Sequence, residues 1–352
     1  MTCVTVFLVV VAILCVLVYG LPWSGKALIK TELLDEEGLL ISDEQEALFV
    51  REETLYLAWA DGAPGYPVKE GTKIRQGMQV YSINTEAPVP EEYGKAKADA
   101  AKKDEEASSE TSDEDPIQDR FSAILGKSAG SAVVSPGGVS EMTAIISYYA
   151  DGFEKQISPQ TIDSLDQGIL EEIPAETESL ERSYVFSGEP IYRIVDNNEW
   201  YIIVWAAKDE YQSENYAEGK QVRIDLGSTE VKAVIDRVAD RGDTYMVVIK
   251  SDMYYKDLSK FRRKKVNVVF EEYAGPLVGE KAIIKQDGAD GVYAKQKDGS
   301  FKWVPVKIVR SYGGEALIAE DYYYDEDGQR VETVVYYDEI MSDPAGEGYK
   351  AD

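Results

Sequence analysis

Residues 66–83 read YPVKEGTKIRQGMQVYSI and describe one half of a small β-sandwich. A strand enters at Val68, Gly71 turns it, and Thr72, Lys73 and Ile74 alternate. Gly77 turns the chain again, and a strand leaves through Val80 and Ile83. The other half lies far along the chain, in residues 184–205, YVFSGEPIYRIVDNNEWYIIVW. There Val185, Gly188, Pro190, Ile191 and Ile194 repeat the order of Ile74, Gly77, Gln79, Val80 and Ile83. Each set is an apolar residue, a two-residue gap, a glycine and then outgoing strand positions.

Between the two arms the composition changes. Residues 86–116, EAPVPEEYGKAKADAAKKDEEASSETSDEDP, are rich in Glu, Asp, Lys, Ala and Ser and nearly free of large apolar side chains. Such a segment cannot offset its own ordering entropy, so residues 85–130 are expected to be a disordered or short helical acidic insert that adds nothing to a core. Alternation resumes in residues 131–154 through Val133, Val139, Ile145 and Tyr148. A short helical passage over residues 159–180 leads into the second arm.

At 352 residues and 44% hydrophobic content the chain can bury more than one core. Its formal net charge of −28 would be repelled by nucleic acid, which excludes that class of partner. Histidine is absent and the two cysteines, Cys3 and Cys15, both sit in the first apolar run. Cys/His zinc sites, thiol nucleophiles and a Ser-His-Asp triad are therefore ruled out. Residues 4–18 carry no charge, and the apolar run continues to Leu21, about the ~20 residues that cross a bilayer. Residues 1–22 are read as a single transmembrane anchor with the body outside the cell membrane. A signal peptide is the alternative, because Val18-Tyr19-Gly20 would pass as a cleavage site although Met1 to Cys3 lack a positive charge.

Two halves of one sandwich separated by an insertion resemble the barrel-sandwich hybrid of the HlyD-like membrane fusion proteins, or periplasmic adaptor subunits. The chain resembles in particular their single-anchor, short-insert versions from Gram-positive bacteria. The resemblance implies a mainly β fold: a split, lipoyl-like barrel-sandwich hybrid (residues 45–84 and 131–195), a β-barrel (196–270) and a membrane-proximal β domain (271–342 with 30–44). It implies an adaptor that docks on a membrane transporter of the ATP-binding cassette efflux class, and the missing histidine and body cysteine leave no catalytic residue, cofactor or metal site to expect. A non-transport envelope scaffold for division or wall assembly is the alternative, and self-association stays open. The insert lacks the heptads of the long helical hairpin that builds a tunnel in Gram-negative members. A biotinyl or lipoyl carrier would need a lysine at a tight hairpin tip, commonly in Met-Lys-Met, and no Met-Lys pair occurs.

The remaining motifs are weighed against plainer readings. Asp325-Glu326-Asp327-Gly328 falls short of a calcium loop, since Tyr323 and Val334 stand where acids are required, and a hairpin turn is expected. Arg241-Gly242-Asp243 is read as the turn between two barrel strands. Tyr322–Tyr324 and the pair Tyr336 and Tyr337 are read as half-buried strands. The one dense basic cluster, Arg262, Arg263, Lys264 and Lys265, is the candidate contact for lipid headgroups or an acidic partner, with intramolecular charge balance as the plainer account.

Overall fold

The computed structural model describes residues 29–91, 121, 124–127, 132–135, 137–174, 177–208, 214–346 and 348–349. Residues 42–270 form one compact unit, and the residues up to 41 and from 271 onward form another. In chain order the first strands are β1 (Thr31–Leu33), β2 (Leu39–Leu57), β3 (Ala63–Gly65), β4 (Lys73–Ile74), β5 (Ser82–Asn84), β6 (Val133–Val134), β7 (Ala144–Ser147), β8 (Tyr149–Ala150) and β9 (Glu178–Ser179). They are followed by β10 (Pro190–Ala207), β11 (Gln221–Asp225), β12 (Glu230–Asp240), β13 (Thr244–Ser251) and β14 (Arg263–Tyr273).

The order β10-β13-β12-β11-β14-β2 closes on itself, because β2 also pairs with β10, and this closed path is the barrel. Closure removes the exposed strand edges that an open sheet would present. In β12, Val231, Ala233 and Ile235 point inward while Glu230, Lys232 and Val234 point out, the period of two expected of a one-sided strand. The segment Trp205-Ile203 in β10 breaks that rule because both of its faces are covered. One face looks into the barrel, and on the other Ile203 and Trp205 pack on Phe153, Ile157, Ile162 and Leu170. The passage between the sandwich arms is thus the outer cover of the barrel, built from a 3₁₀ turn at Ile162–Ser164 and a helical turn at Ile169–Glu172.

β2 and β10 continue beyond the barrel into the sandwich, where β4, β7, β10, β2 and β6 lie side by side. Its core joins both arms: Val68, Ile74 and Val80 from the first pack with Ile146, Val185 and Ile191. The Tyr148 hydroxyl donates to the carbonyls of Val68 (2.8 Å) and Val80 (3.2 Å), stitching the halves with buried polar bonds. Gly77 and Gly188 hold the corresponding turns at φ +82° and +88°, where a side chain would be strained. Met78 N–H then donates to Arg75 and Glu189 N–H to Phe186, the same turn in each arm.

Two expectations need correction here. The return end of the insert does reach a core: Phe121 and Ile124 are buried with Leu55, Ala150 and Leu180, and the Arg182 guanidinium lies 4.5 Å from the Phe121 ring. Acid content dominates the composition of the insert, yet two well-spaced apolar side chains suffice to anchor one turn. Val133, expected inside, is exposed because β6 is an edge strand pairing in parallel with β2 at Tyr56 and Leu57.

The second unit is built on short strands: β15 (Leu277–Gly279), β16 (Ile284–Gln286), β17 (Ala289–Lys295), β18 (Phe301–Pro305), β19 (Ile308–Tyr312), β20 (Glu315–Ile318), β21 (Tyr322–Tyr324), β22 (Arg330–Glu332) and β23 (Glu339–Met341). One sheet runs β1-β23-β17-β16 with β18 on β17, and a second runs β15-β20-β19. Leu34, Val278, Val292, Ala316 and Ile340 share its core. Asp325 to Gln329 close the β21–β22 hairpin, with Gly328 N–H donating to the Asp325 carbonyl. Tyr322–Tyr324 form a strand with Tyr323 half-buried between exposed Tyr322 and Tyr324. Tyr336 and Tyr337 instead form a turn, with Tyr337 at φ +70°, so that stretch is not a strand.

Candidate functional site

The passage from sandwich to barrel is where the backbone ladder fails. Along β2 and β10, Val195 pairs with Glu53 and Trp200 with Arg51, so Asp196, Asn197, Asn198 and Glu199 bulge opposite Glu52 alone. Odd positions of β2 face inward from Ala47 and Phe49 through Arg51 and Glu53 to Leu55. Two charged groups are therefore delivered to the interior by strand parity. Arg193 of β10, Asp151 and Glu154 from the turn after β8, and Arg262 at the root of β14 join them, all buried.

Glu53 is the hub. It accepts from Arg51 Nε at 2.6 Å and from Arg262 Nη2 at 2.5 Å, and Arg193 Nη1 lies 3.1 Å from it. Asp151 takes Arg262 with both oxygens, Nε at 2.7 Å and Nη2 at 3.0 Å, and caps the Phe153 N–H at 2.9 Å. Arg193 Nη1 also stands 3.5 Å from Glu154. Three guanidiniums face three carboxylates, which balances the charge that burial would otherwise make prohibitive. Burial by itself would raise the Glu53 carboxyl, but Arg193, Arg262 and Arg51 outweigh it and hold it down at about 2. Burial opposes ionisation of Asp151 too, and Arg262 with Arg193 keeps it well below the usual carboxylate range. Burial draws Arg51 down to about 10 against the pull of Glu53. Burial acts the same way on Arg262, yet Asp151 and Glu53 together push it above its ordinary value. The two arginines differ because Arg262 grips two carboxylates and Arg51 shares one.

This placement corrects the sequence-based reading of Arg262, which is buried within the protein and is no contact for lipid or a partner. Arg263 Nε is 3.1 Å from Glu46 and its Nη1 donates to the Leu170 carbonyl at 2.6 Å. Lys264 Nζ donates to the Leu226 carbonyl at 2.5 Å, and Lys265, well exposed, is 3.0 Å from Glu44. All four cations thus have partners within the chain. A cavity of about 150 Å³ opens between Asp151, Thr177, Lys260, Phe261, Arg262 and Arg263. Lys260 is paired as well, with Asp257 at 2.7 Å. Among the described residues no group of three or more His, Cys, Asp or Glu is arranged to hold a metal.

Of the cluster, only Arg262 stands out in the sequence, and Arg51, Glu53, Asp151, Glu154 and Arg193 do not. The legible signal was the parity of β2, in which Arg51 and Glu53 share the register of Phe49 and Leu55.

Comparison with known families fits this two-module strand path. The RND-related barrel-sandwich hybrid domain matches residues 53–196, and the RND-related β-barrel domain matches residues 200–272. The chain carries both RND-related domains, in that order. The fold is thus mainly β, a barrel-sandwich hybrid followed by a β-barrel. The boundary between the two matches falls in the bulge of β10, where the RND-related chain leaves its sandwich for its barrel. Similar solved structures include MacA from Actinobacillus actinomycetemcomitans, with 11% identity, TM-score 0.33 and coverage of 88% of this chain and 98% of that one. ZneB from Cupriavidus metallidurans has 11% identity, TM-score 0.28 and coverage of 90% and 92%. The membrane fusion protein Spr0693 from Streptococcus pneumoniae R6 has 13% identity, TM-score 0.25 and coverage of 65% and 98%. No curated protein matches the RND-related chain in sequence.

Proposed function

We propose that the protein is a membrane-anchored, extracytoplasmic adaptor that docks on a membrane transporter of the ATP-binding cassette efflux class and holds surfaces together without transforming a substrate. The sandwich and barrel supply the adaptor fold. The observation that carries the docking reading is the surface of the second unit, which exposes Leu33, Ile308, Val309, Tyr322, Tyr324 and Tyr337 around a small core. Single exposed apolar residues are ordinary, and what supports docking here is the share of tyrosine among those of this unit, a residue type enriched at protein interfaces. The anchor is read from the apolar run in residues 1–22, which lies outside the described residues. Among those described, no helix is long and apolar enough to cross a membrane.

The test is site-specific photocrosslinking in intact cells from Val309 and Tyr337, with Lys265 on the barrel as the control position. Capture of a transporter subunit from the first two positions and not from the control is expected. Removal of residues 1–20, with the body still exported, is expected to give a folded protein that fails to complement, because tethering supplies the local concentration for docking. Full complementation by the untethered body at native abundance, or crosslinks independent of position, would overturn the proposal.

A further inference from the structure

We infer that the buried ionic cluster is an orientation lock that fixes the angle between sandwich and barrel, rather than a device for stability. The need for a lock follows from the strand path. β2 and β10 are shared by the two modules, but four residues bulge against one where they cross, so backbone pairing alone leaves the angle free there. Beside the apolar cover that packs on the outer face of the barrel, what bridges the gap is directional and polar.

Arg193, on the sandwich side of the bulge, donates through Nη2 to the Ser259 carbonyl of the barrel at 2.8 Å. Arg51, on the barrel side, donates through Nη1 to the Phe261 carbonyl at 2.7 Å while holding Glu53 across the break. Arg262, at the start of a barrel strand, is forked onto Asp151 of a sandwich turn. The bulge itself is clasped: Asn197 Nδ2 donates to the Tyr255 carbonyl at 2.8 Å, and Tyr255 N–H donates back to Asn197 Oδ1 at 3.2 Å. Forked guanidinium–carboxylate pairs tolerate little rotation, whereas an apolar face of the same area would permit sliding.

The cluster is also poorly arranged for stability. Among the described residues, Arg51 Nη2, Arg193 Nε and Arg262 Nη1 are buried with no hydrogen-bond partner from the chain. Buried ion pairs often contribute no more than a well-packed apolar substitute, and their best-attested advantage is conformational specificity. A geometrically demanding cluster at the four-residue bulge between the two modules fits that role.

The test is a distance measurement on the full-length chain in detergent, with Cys3 and Cys15 replaced by Ser. Spin labels go on cysteines introduced at Met78 of the sandwich and Val234 of the barrel, both exposed. Two variants are compared with the parent. Arg262→Lys keeps the charge and removes the fork, and Glu53→Leu with Arg262→Met removes one charge of each sign. The expected result is a folded protein whose interspin distance distribution broadens about twofold or more, with little change in melting temperature. An unchanged distribution in folded Arg262→Lys would overturn the inference, and that variant decides alone if the double variant does not fold. Unchanged width together with a large loss of stability in both would assign the cluster to stability and equally overturn it. The readout is a distance and not a transport phenotype, so the result stands apart from the adaptor proposal.

Discussion

Glu53 shows what a single residue contributes when burial and charge compete. Arg193, Arg262 and Arg51 hold its carboxyl down at about 2, below the 4.5 of an ordinary glutamate, and Asp151 is shifted in the same direction. A carboxyl depressed by folding contributes stability that is present above its unfolded pKa and lost as pH falls through the folded one. Unfolding free energy from urea titrations is therefore expected to decline between about pH 4.5 and pH 2, with protons taken up on unfolding. Glu53→Gln leaves three guanidiniums facing reduced negative charge and should cost about 3–5 kcal/mol at neutral pH, while flattening that acid slope. An equally steep slope in the variant would show that other carboxylates carry it. Glycine is equally constrained at one position. A Cβ on Gly138, at φ +73°, would clash with the Tyr81 carbonyl oxygen. Gly138→Ala is expected to lower the melting temperature, and Gly77→Ala, with open space around it, to lower it less.

At the scale of elements, the arms were legible and the joint was not. Ile74 with Gly77 and Val185 with Gly188 carried a local pattern, an apolar residue at fixed distance from a left-handed turn, and such patterns survive in sequence because the turn chemistry is local. The ionic cluster draws on Arg51, Asp151, Arg193 and Arg262, which only the tertiary fold brings together. Arg262 also stood in a basic run, so composition argued for the surface and strand parity was overlooked. The insert divides the same way. Its acidic stretch was legible from composition, and the burial of Phe121 and Ile124 was not, since it depends on Leu55, Ala150 and Leu180. Replacing residues 92–119 by a short Gly-Ser linker is expected to leave the melting temperature unchanged. Phe121→Ala is expected to cost about 3–5 kcal/mol, read by urea unfolding. Equal losses from both changes would mean that the acidic stretch contributes to the fold after all. Ile74→Asp and Ile191→Asp, each placing an unpaired charge in one sandwich core, should unfold it from either arm.

For the whole molecule, the long β2 has a consequence in time. Every strand it pairs with, β6, β10 and β14, lies later in the chain. A polypeptide made from its N-terminus presents these 19 residues, including the apolar run Ala47-Leu48-Phe49-Val50, well before any partner exists. Loop closure over such separations is slow, and an unpaired apolar strand is prone to aggregate while it waits. Chains stalled before Pro190 are expected to stay protease-sensitive, and chains extending past Tyr273 to become resistant. Resistance in the shorter chains would show that β2 finds a temporary partner. The acidic stretch after the first arm then acquires a use, as a highly charged solubilising spacer synthesised during the interval when the strand is most exposed to the wrong neighbour.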